Sequence, residues 1–533
     1  MKTYLHVIGL ILSFLILGCK QDKKAENPET VLDISANLEE ELYRPNYHFT
    51  PKANWMNDPN GMFYYNGVYH LYFQYYPDGN VWGPMHWGHA KSKDLISWEE
   101  QPIAIYPDSI GLIFSGSAVV DKNNTSGFGK DGKTPIVAMY TYHNMDGEKA
   151  KRLDFQTQAI AYSLDEGQTF EKYTQNPVIK NPGIKDFRDP KVIWDTAREQ
   201  WVMVLAAGQK IMFYSSKNLK DWKLISEFGD GVGAHGGVWE CPDLFPMTIE
   251  GTNEQKWVLI VSINPGGPNG GSATQYFLGD FDGKTFKLDA TFTKQLKEHN
   301  AVWLDYGRDN YAGVTWSNIP EADGRKLFIG WMSNWDYARD VPTETWRSTM
   351  TIARELKLKK LDDGYQLVSM PVSELDKYTS KTIRIDSLKV DQNKVIVSSN
   401  DVNLSKLRVK LEMNNLKDKK YTFLFQNKQG DRLSFGIDNK EKYYFLDRTK
   451  SGLVKFSEKF APNISKVLRD NIAKDITIEV LMDKTSIEVF FNEGETVITE
   501  LFFPNKPFET LSIQTSDETL LVENIKVEEF QFN

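Results

Sequence analysis

Three acidic residues share a local setting. Asp58 lies in Trp55-Met56-Asn57-Asp58-Pro59-Asn60-Gly61, Asp189 in Arg188-Asp189-Pro190, and Glu240 in Trp239-Glu240-Cys241-Pro242-Asp243. Proline steers the residue before it into extended geometry, so each motif reads as a turn feeding a strand. Two carboxylates about 5–5.5 Å apart can break an acetal bond between sugars with retention, one as nucleophile and one as proton donor. A third can hold hydroxyls whose hydrogen bonds tighten in the transition state. Taken singly, each motif is an ordinary turn, and Arg188-Asp189 reads equally as an ion pair. Converging carboxylates also suit calcium, but the spacing is not that of an EF-hand loop, and neither a metal nor a cofactor is expected.

The elements around the acids must bring them together. Met62-Phe63-Tyr64-Tyr65, the turn Asn66-Gly67 and Val68-Tyr69-His70-Leu71-Tyr72-Phe73-Gln74 predict a tight antiparallel hairpin. The unit recurs after Asp189 (Lys191–Trp194 with Trp201–Leu205) and after Glu240 (Leu244-Phe245 with Trp257–Val261). Two copies lack the proline: Ser115–Val120 with Ile136–Tyr140, and Tyr311–Trp316 with Leu327–Trp331. Shorter echoes follow, such as Ser92-Lys93-Asp94-Leu95-Ile96-Ser97-Trp98 and Ser216-Lys217-Asn218-Leu219-Lys220-Asp221-Trp222. Five units at a period of roughly 50–75 residues predict an all-β, five-bladed propeller, because one blade cannot bury a core alone. Radial blades would carry Asp58, Asp189 and Glu240 to the axis.

The propeller is expected over 43–365, a linker over 366–379 and a β-sandwich over 380–533, where short β patterns alternate with polar turns and no catalytic cluster is visible. All 14 Trp fall between Trp55 and Trp346, and all eight His precede residue 300, which separates an aromatic body from a Lys-rich C-terminal part. The formal charge of −9 argues against a nucleic-acid partner. Two cysteines exclude a disulfide framework. The loop Trp82-Gly83-Pro84-Met85-His86-Trp87-Gly88-His89 could floor a sugar pocket or pack its own Trp against a blade. Cys241 reads either as a small buried hydrophobe or as a neighbour that tunes Glu240.

Lys2 and the apolar run Val7–Leu17 form a secretory signal too short to span a bilayer. It ends in Ile16-Leu17-Gly18-Cys19, which resembles a bacterial lipobox. Cys19 would become the lipidated first residue, tied through a polar tether over 20–42 to a periplasmic or cell-surface position.

In combination, the motifs closely resemble glycoside hydrolase family 32, the β-fructosidases that include invertases, inulinases and levanases. The matching stretches are Trp55–Gly61, Phe114-Ser115-Gly116-Ser117, Phe187-Arg188-Asp189-Pro190, Trp239–Phe245, Asp305-Tyr306-Gly307 and Gly330–Trp335. The resemblance implies a five-bladed propeller with a C-terminal sandwich, and retaining hydrolysis of β-fructofuranosidic bonds in levan, inulin or smaller fructosides. It makes Asp58 the nucleophile, Glu240 the acid/base and Asp189 the transition-state stabiliser. It sets Asn57, Gln74, Trp82, Phe114, Ser115, Arg188, Cys241 and Trp335 around the fructose subsite.

Overall fold

The computed structural model describes residues 41–361, 364–469 and 473–532; Cys19 and the expected signal and tether lie outside the described residues, apart from the last residues of the tether. The described chain is built of antiparallel sheets, and no described helix is long and apolar enough to cross a membrane.

Five sheets follow one another in sequence. Their first strands are Asn54–Tyr65, Leu112–Val120, Phe187–Asp195, Val238–Thr248 and Tyr311–Thr315. Each first strand touches the next, and the fifth touches the first, so they form a closed ring. A strand pairing also closes it: Trp346-Arg347, from the chain between two strands of the fifth sheet, adds in parallel to the first strand, pairing Asn54 with Trp346. The second strand Ile136–His143 is buried at every position, which explains its apolar run. A blade pressed between two others has no solvent face, so clean alternation disappears.

Local chemistry shapes each unit. Asn66 and Gly67 both have positive φ, 48° and 83°, as the predicted two-residue hairpin turn requires. The shorter echoes are one repeated turn. Asp94 and Asn218 each accept backbone N–H groups two and three residues on, Leu95 and Leu219 take positive φ, and the Trp98 and Trp222 indoles donate to Leu95 and Leu219 carbonyls.

The segment 366–371, expected as linker, belongs to the fifth sheet. Gly364–Pro371 pairs along its whole length with Arg354–Leu361, because Leu367 and Val368 are apolar and find a strand edge to cover. A 3-10 turn, Ser373–Tyr378, then leads into two six-stranded sheets. Their facing side chains, among them Val409, Leu411, Phe423, Phe435 and Ile478, form one apolar core, with Phe423 and Phe435 stacked at 5.0 Å.

Buried charge joins the sandwich to the propeller end. Arg354 donates to Asp305 at 3.0 Å, to Thr499 at 2.7 Å and to Glu488. His48 bridges Asp483 at 2.9 Å and Glu488 at 2.7 Å. The segment just after the expected tether therefore lies on sandwich strands as well as leading into the propeller.

Candidate active site

The first strands share an irregularity that the sequence hides. Ladder register shifts between Met56 and Pro59, between Phe114 and Gly116, between Glu240 and Asp243 and between Tyr311 and Val314. On the third strand the shift falls opposite Asp189-Pro190. These bulges leave Asn57-Asp58, Ser115, Asp189, Cys241 and Ala312 out of the regular ladder, and Asp189, Cys241 and Ala312 hold φ of 65°, 46° and 54°. A bulge re-aims side chains, so every strand of the ring turns a residue out of the pleat at a matching level. Gly116 allows the second bulge: a Cβ there would lie 2.0 Å from the Met139 carbonyl oxygen.

The acids meet through short links. Ser115 donates to Asp58 Oδ2 at 2.6 Å and Asn57 donates to Oδ1 at 2.9 Å. Asn57 is itself held by the Trp55 indole at 2.7 Å. The Cys241 backbone N–H donates to Asp189 Oδ2 at 3.0 Å, and its thiol lies 3.5 Å from Asp58 Oδ2 and 3.6 Å from Asp189 Oδ2. Arg188 lays Nε and Nη2 on Glu240 Oε1 at 3.2 and 2.8 Å, and Nη1 on Asp186 at 2.8 Å. The other Glu240 oxygen accepts from the Tyr311 hydroxyl.

Crowded carboxylates in a buried setting resist ionisation. Burial pushes the Asp58 carboxyl up, the Ser115 hydroxyl pulls it back, and the charge on Glu240 pushes it up again. Asp189 is pushed up to about 7, first by burial and then by Glu240 and Asp58, against the pull of Arg188. Burial and the neighbouring carboxylates also drive the Cys241 thiol well up, so it stays protonated. Among the described residues no cluster of His, Cys, Asp and Glu is arranged to hold a metal.

The remaining expected residues divide. Phe114 stacks on His143 at 4.1 Å and meets Trp82 edge-on at 6.1 Å, both half-buried beside Ser115. Trp335, also half-buried, stacks on Trp55 at 5.9 Å. Gln74 is buried and donates to Asn60 at 2.8 Å, bracing the bulged strand after Asp58, where the expected Asn60-Gly61 turn is instead strand. The Trp82–His89 stretch is only partly a loop: His86–Ser92 is a strand and Trp87 is wholly buried, because both strand faces are covered. Cys241 is buried, and its thiol turns to Asp58 and Asp189, with no hydrogen bond to Glu240. Tyr311 is the residue that sequence reasoning passed over. It reads as a plain strand aromatic, and only its place in the fifth copy of the ring strand marks it.

Comparison with known proteins identifies the family. Residues 48–371 match the model of the glycosyl hydrolases family 32 N-terminal domain, and residues 374–529 match the family 32 C-terminal model. The chain belongs to glycosyl hydrolase family 32. As a family 32 enzyme it is a glycoside hydrolase. It is 46% identical to a levanase of Bacillus subtilis over 495 residues, 92% of this chain and 70% of that protein. It is 42% identical to an extracellular exo-inulinase of Aspergillus niger, covering 87% of this chain and 90% of the other. The crystal structure of an exo-inulinase from Aspergillus awamori superposes with a TM-score of 0.81 at 36% identity, over 92% of this chain and 98% of that one.

Proposed function

We propose that this family 32 enzyme is a retaining fructan hydrolase that releases fructose from chain ends of levan or inulin, and also accepts fructo-oligosaccharides and sucrose. The observation that carries the reading is the junction at Cys241, whose thiol touches Asp58 and Asp189 while its neighbour Glu240 is gripped by Arg188 and Tyr311. The names of the levanase and exo-inulinase relatives support the fructan substrate.

In this reading Asp58 attacks the anomeric carbon of the fructosyl unit while Glu240 gives its proton to the departing glycosidic oxygen. Water then attacks the fructosyl–Asp58 ester, loses its proton to Glu240 and frees the Asp58 carboxylate. Asp58 must be ionised for the first step, and the donors Ser115 and Asn57 favour that form against its burial. Asp189, pushed up to about 7, gains or loses a proton near neutrality and can either donate to or accept from a sugar hydroxyl. Trp82, Phe114 and Trp335 supply apolar surface for the ring. The lipobox-like Gly18-Cys19 supports a lipid-anchored enzyme facing the periplasm or the cell surface.

A product time course on levan, inulin and sucrose, resolved by chain length, tests this. Fructose alone from the earliest points is expected. A ladder of oligosaccharides would replace exo with endo action, and no product from any of the three would overturn the fructan reading.

A further inference from the structure

The ring strands run on past the acids toward the other end of the propeller axis. Trp194 lies five residues beyond Asp189, roughly 16 Å along an extended strand. There the ends of the second, third and fourth ring strands and the segment 315–320 surround a cavity of about 1270 Å³. Ordinary small-molecule sites occupy roughly 300–1,000 Å³. Asp58, Asp189 and Glu240 take no part in its wall.

Its wall carries three features. Trp194 and Trp257, from adjacent sheets, line it half-buried. Asp243 is wholly buried at its floor: Oδ2 takes the Thr315 N–H at 2.6 Å, the Thr315 hydroxyl at 2.7 Å and the Lys191 ammonium at 3.1 Å. Asp243 Oδ1 has no donor among the described residues, and a buried acceptor without a donor is costly. Lys326 also lines the cavity, its ammonium 5.7 Å from the centre of the Phe245 ring and without a hydrogen bond to a described residue. Burial lowers the pKa of this lysine, against the pull of Asp243. The wall mixes cations such as Lys191 and Lys326 with a small excess of carboxylates, Asp195 and Asp243 among them, so it disfavours an anionic ligand.

Indole surfaces, an unsatisfied buried acceptor and a mildly acidic wall fit a neutral, hydroxyl-donating ligand. We infer that this cavity is a second carbohydrate site, binding a run of fructosyl units away from the acids. The inference rests on the fructan reading above. The indoles stack on the apolar side of a sugar ring, Lys326 donates to a ring or hydroxyl oxygen, and a hydroxyl or its bridging water supplies the donor that Asp243 Oδ1 lacks. A polymer long enough to engage both sites is held at high local concentration; a disaccharide gains nothing from the second.

Calorimetric titration of the full chain carrying Glu240→Gln with an inulin-derived fructo-oligosaccharide is expected to show two sites. The same chain with Trp194→Ala and Trp257→Ala added should show one. In the active enzyme those two changes should raise KM for the polymer several-fold and leave KM and kcat for sucrose unchanged. Should the double variant fail to fold, Lys326→Ala, which removes no hydrogen bond, carries the same comparison through weakened binding at one site. A single site before and after the changes, with hydrolysis of fructan intact, overturns the second site alone. Neither hydrolysis nor binding of fructan by the protein overturns the reading beneath it.

Discussion

The Ser115 hydroxyl donates to Asp58 Oδ2 at 2.6 Å, from the second sheet to the first. It is the largest influence that lowers the Asp58 pKa against burial. A hydrogen bond to a charged group contributes roughly 1.5–3 kcal/mol, about ten- to a hundredfold in rate when the charge must persist. Ser115→Ala should therefore lower kcat/KM by about that factor. Its acid limb should move to higher pH, because Asp58 becomes harder to ionise. A pH profile of kcat/KM on sucrose checks both; an unmoved limb would deny Ser115 this role.

Tyr311 and Arg188 hold the two oxygens of Glu240 separately. Tyr311→Phe keeps the ring, which is buried against Trp331, and removes only the donor. We expect kcat to fall by more than tenfold with the melting temperature nearly unchanged. Equal loss in kcat and in thermal stability would make Tyr311 a packing residue.

The sandwich also reaches toward the turn that carries Trp335. Arg448 donates to Asp309 at 2.6 Å and to the Tyr337 hydroxyl at 2.8 Å, and Tyr337 lies two residues from Trp335. Lysine cannot reproduce the planar fork. Arg448→Lys should loosen the Trp335 turn and raise KM for sucrose more than it lowers kcat. Steady-state kinetics read that split directly, and unchanged KM in a folded variant would contradict it.

Buried histidines bound the stable pH range from both sides. His48 is raised to about 9, because its bonds to Asp483 and Glu488 outweigh burial. Its stabilisation is complete below the unfolded value near 6.5 and is lost as pH rises through about 9, in total roughly 3 kcal/mol. His70, 3.1 Å from His89, is lowered to about 4 by burial and then by Lys91. Its contribution is present above about 6.5 and is lost as pH falls through about 4. Melting temperature measured across pH 4–10 should thus form a dome, and His48→Gln should flatten the alkaline side only.

Much of this protein was legible before any fold was known. Asn66-Gly67 specifies its turn locally, since positive φ at two adjacent residues is a property of those residues. Proline after Asp58 and Asp189 is expected to mark strand entrances, but both lie inside strands, Asn54–Tyr65 and Phe187–Asp195, where the ladder bulges around them. The repeat of strand pairs announces a ring because single blades leave apolar faces bare. Most of the fifth sheet's last strand is not legible in the sequence, because Gly364–Pro371 becomes a strand only when Arg354–Leu361 offers its edge.

The site divides along the same line. Sequence alone determined which carboxylates could act, since acid, proline and strand lie within a few residues of one another. Tertiary structure alone decided that the Cys241 thiol faces Asp58 and Asp189, that Tyr311 meets Glu240, and that Arg354 and His48 bind sandwich to propeller. These pairs stand 52 to 440 residues apart along the chain. No local propensity encodes such contacts; they exist only where bulged ring strands and packed domains bring distant side chains within bonding reach.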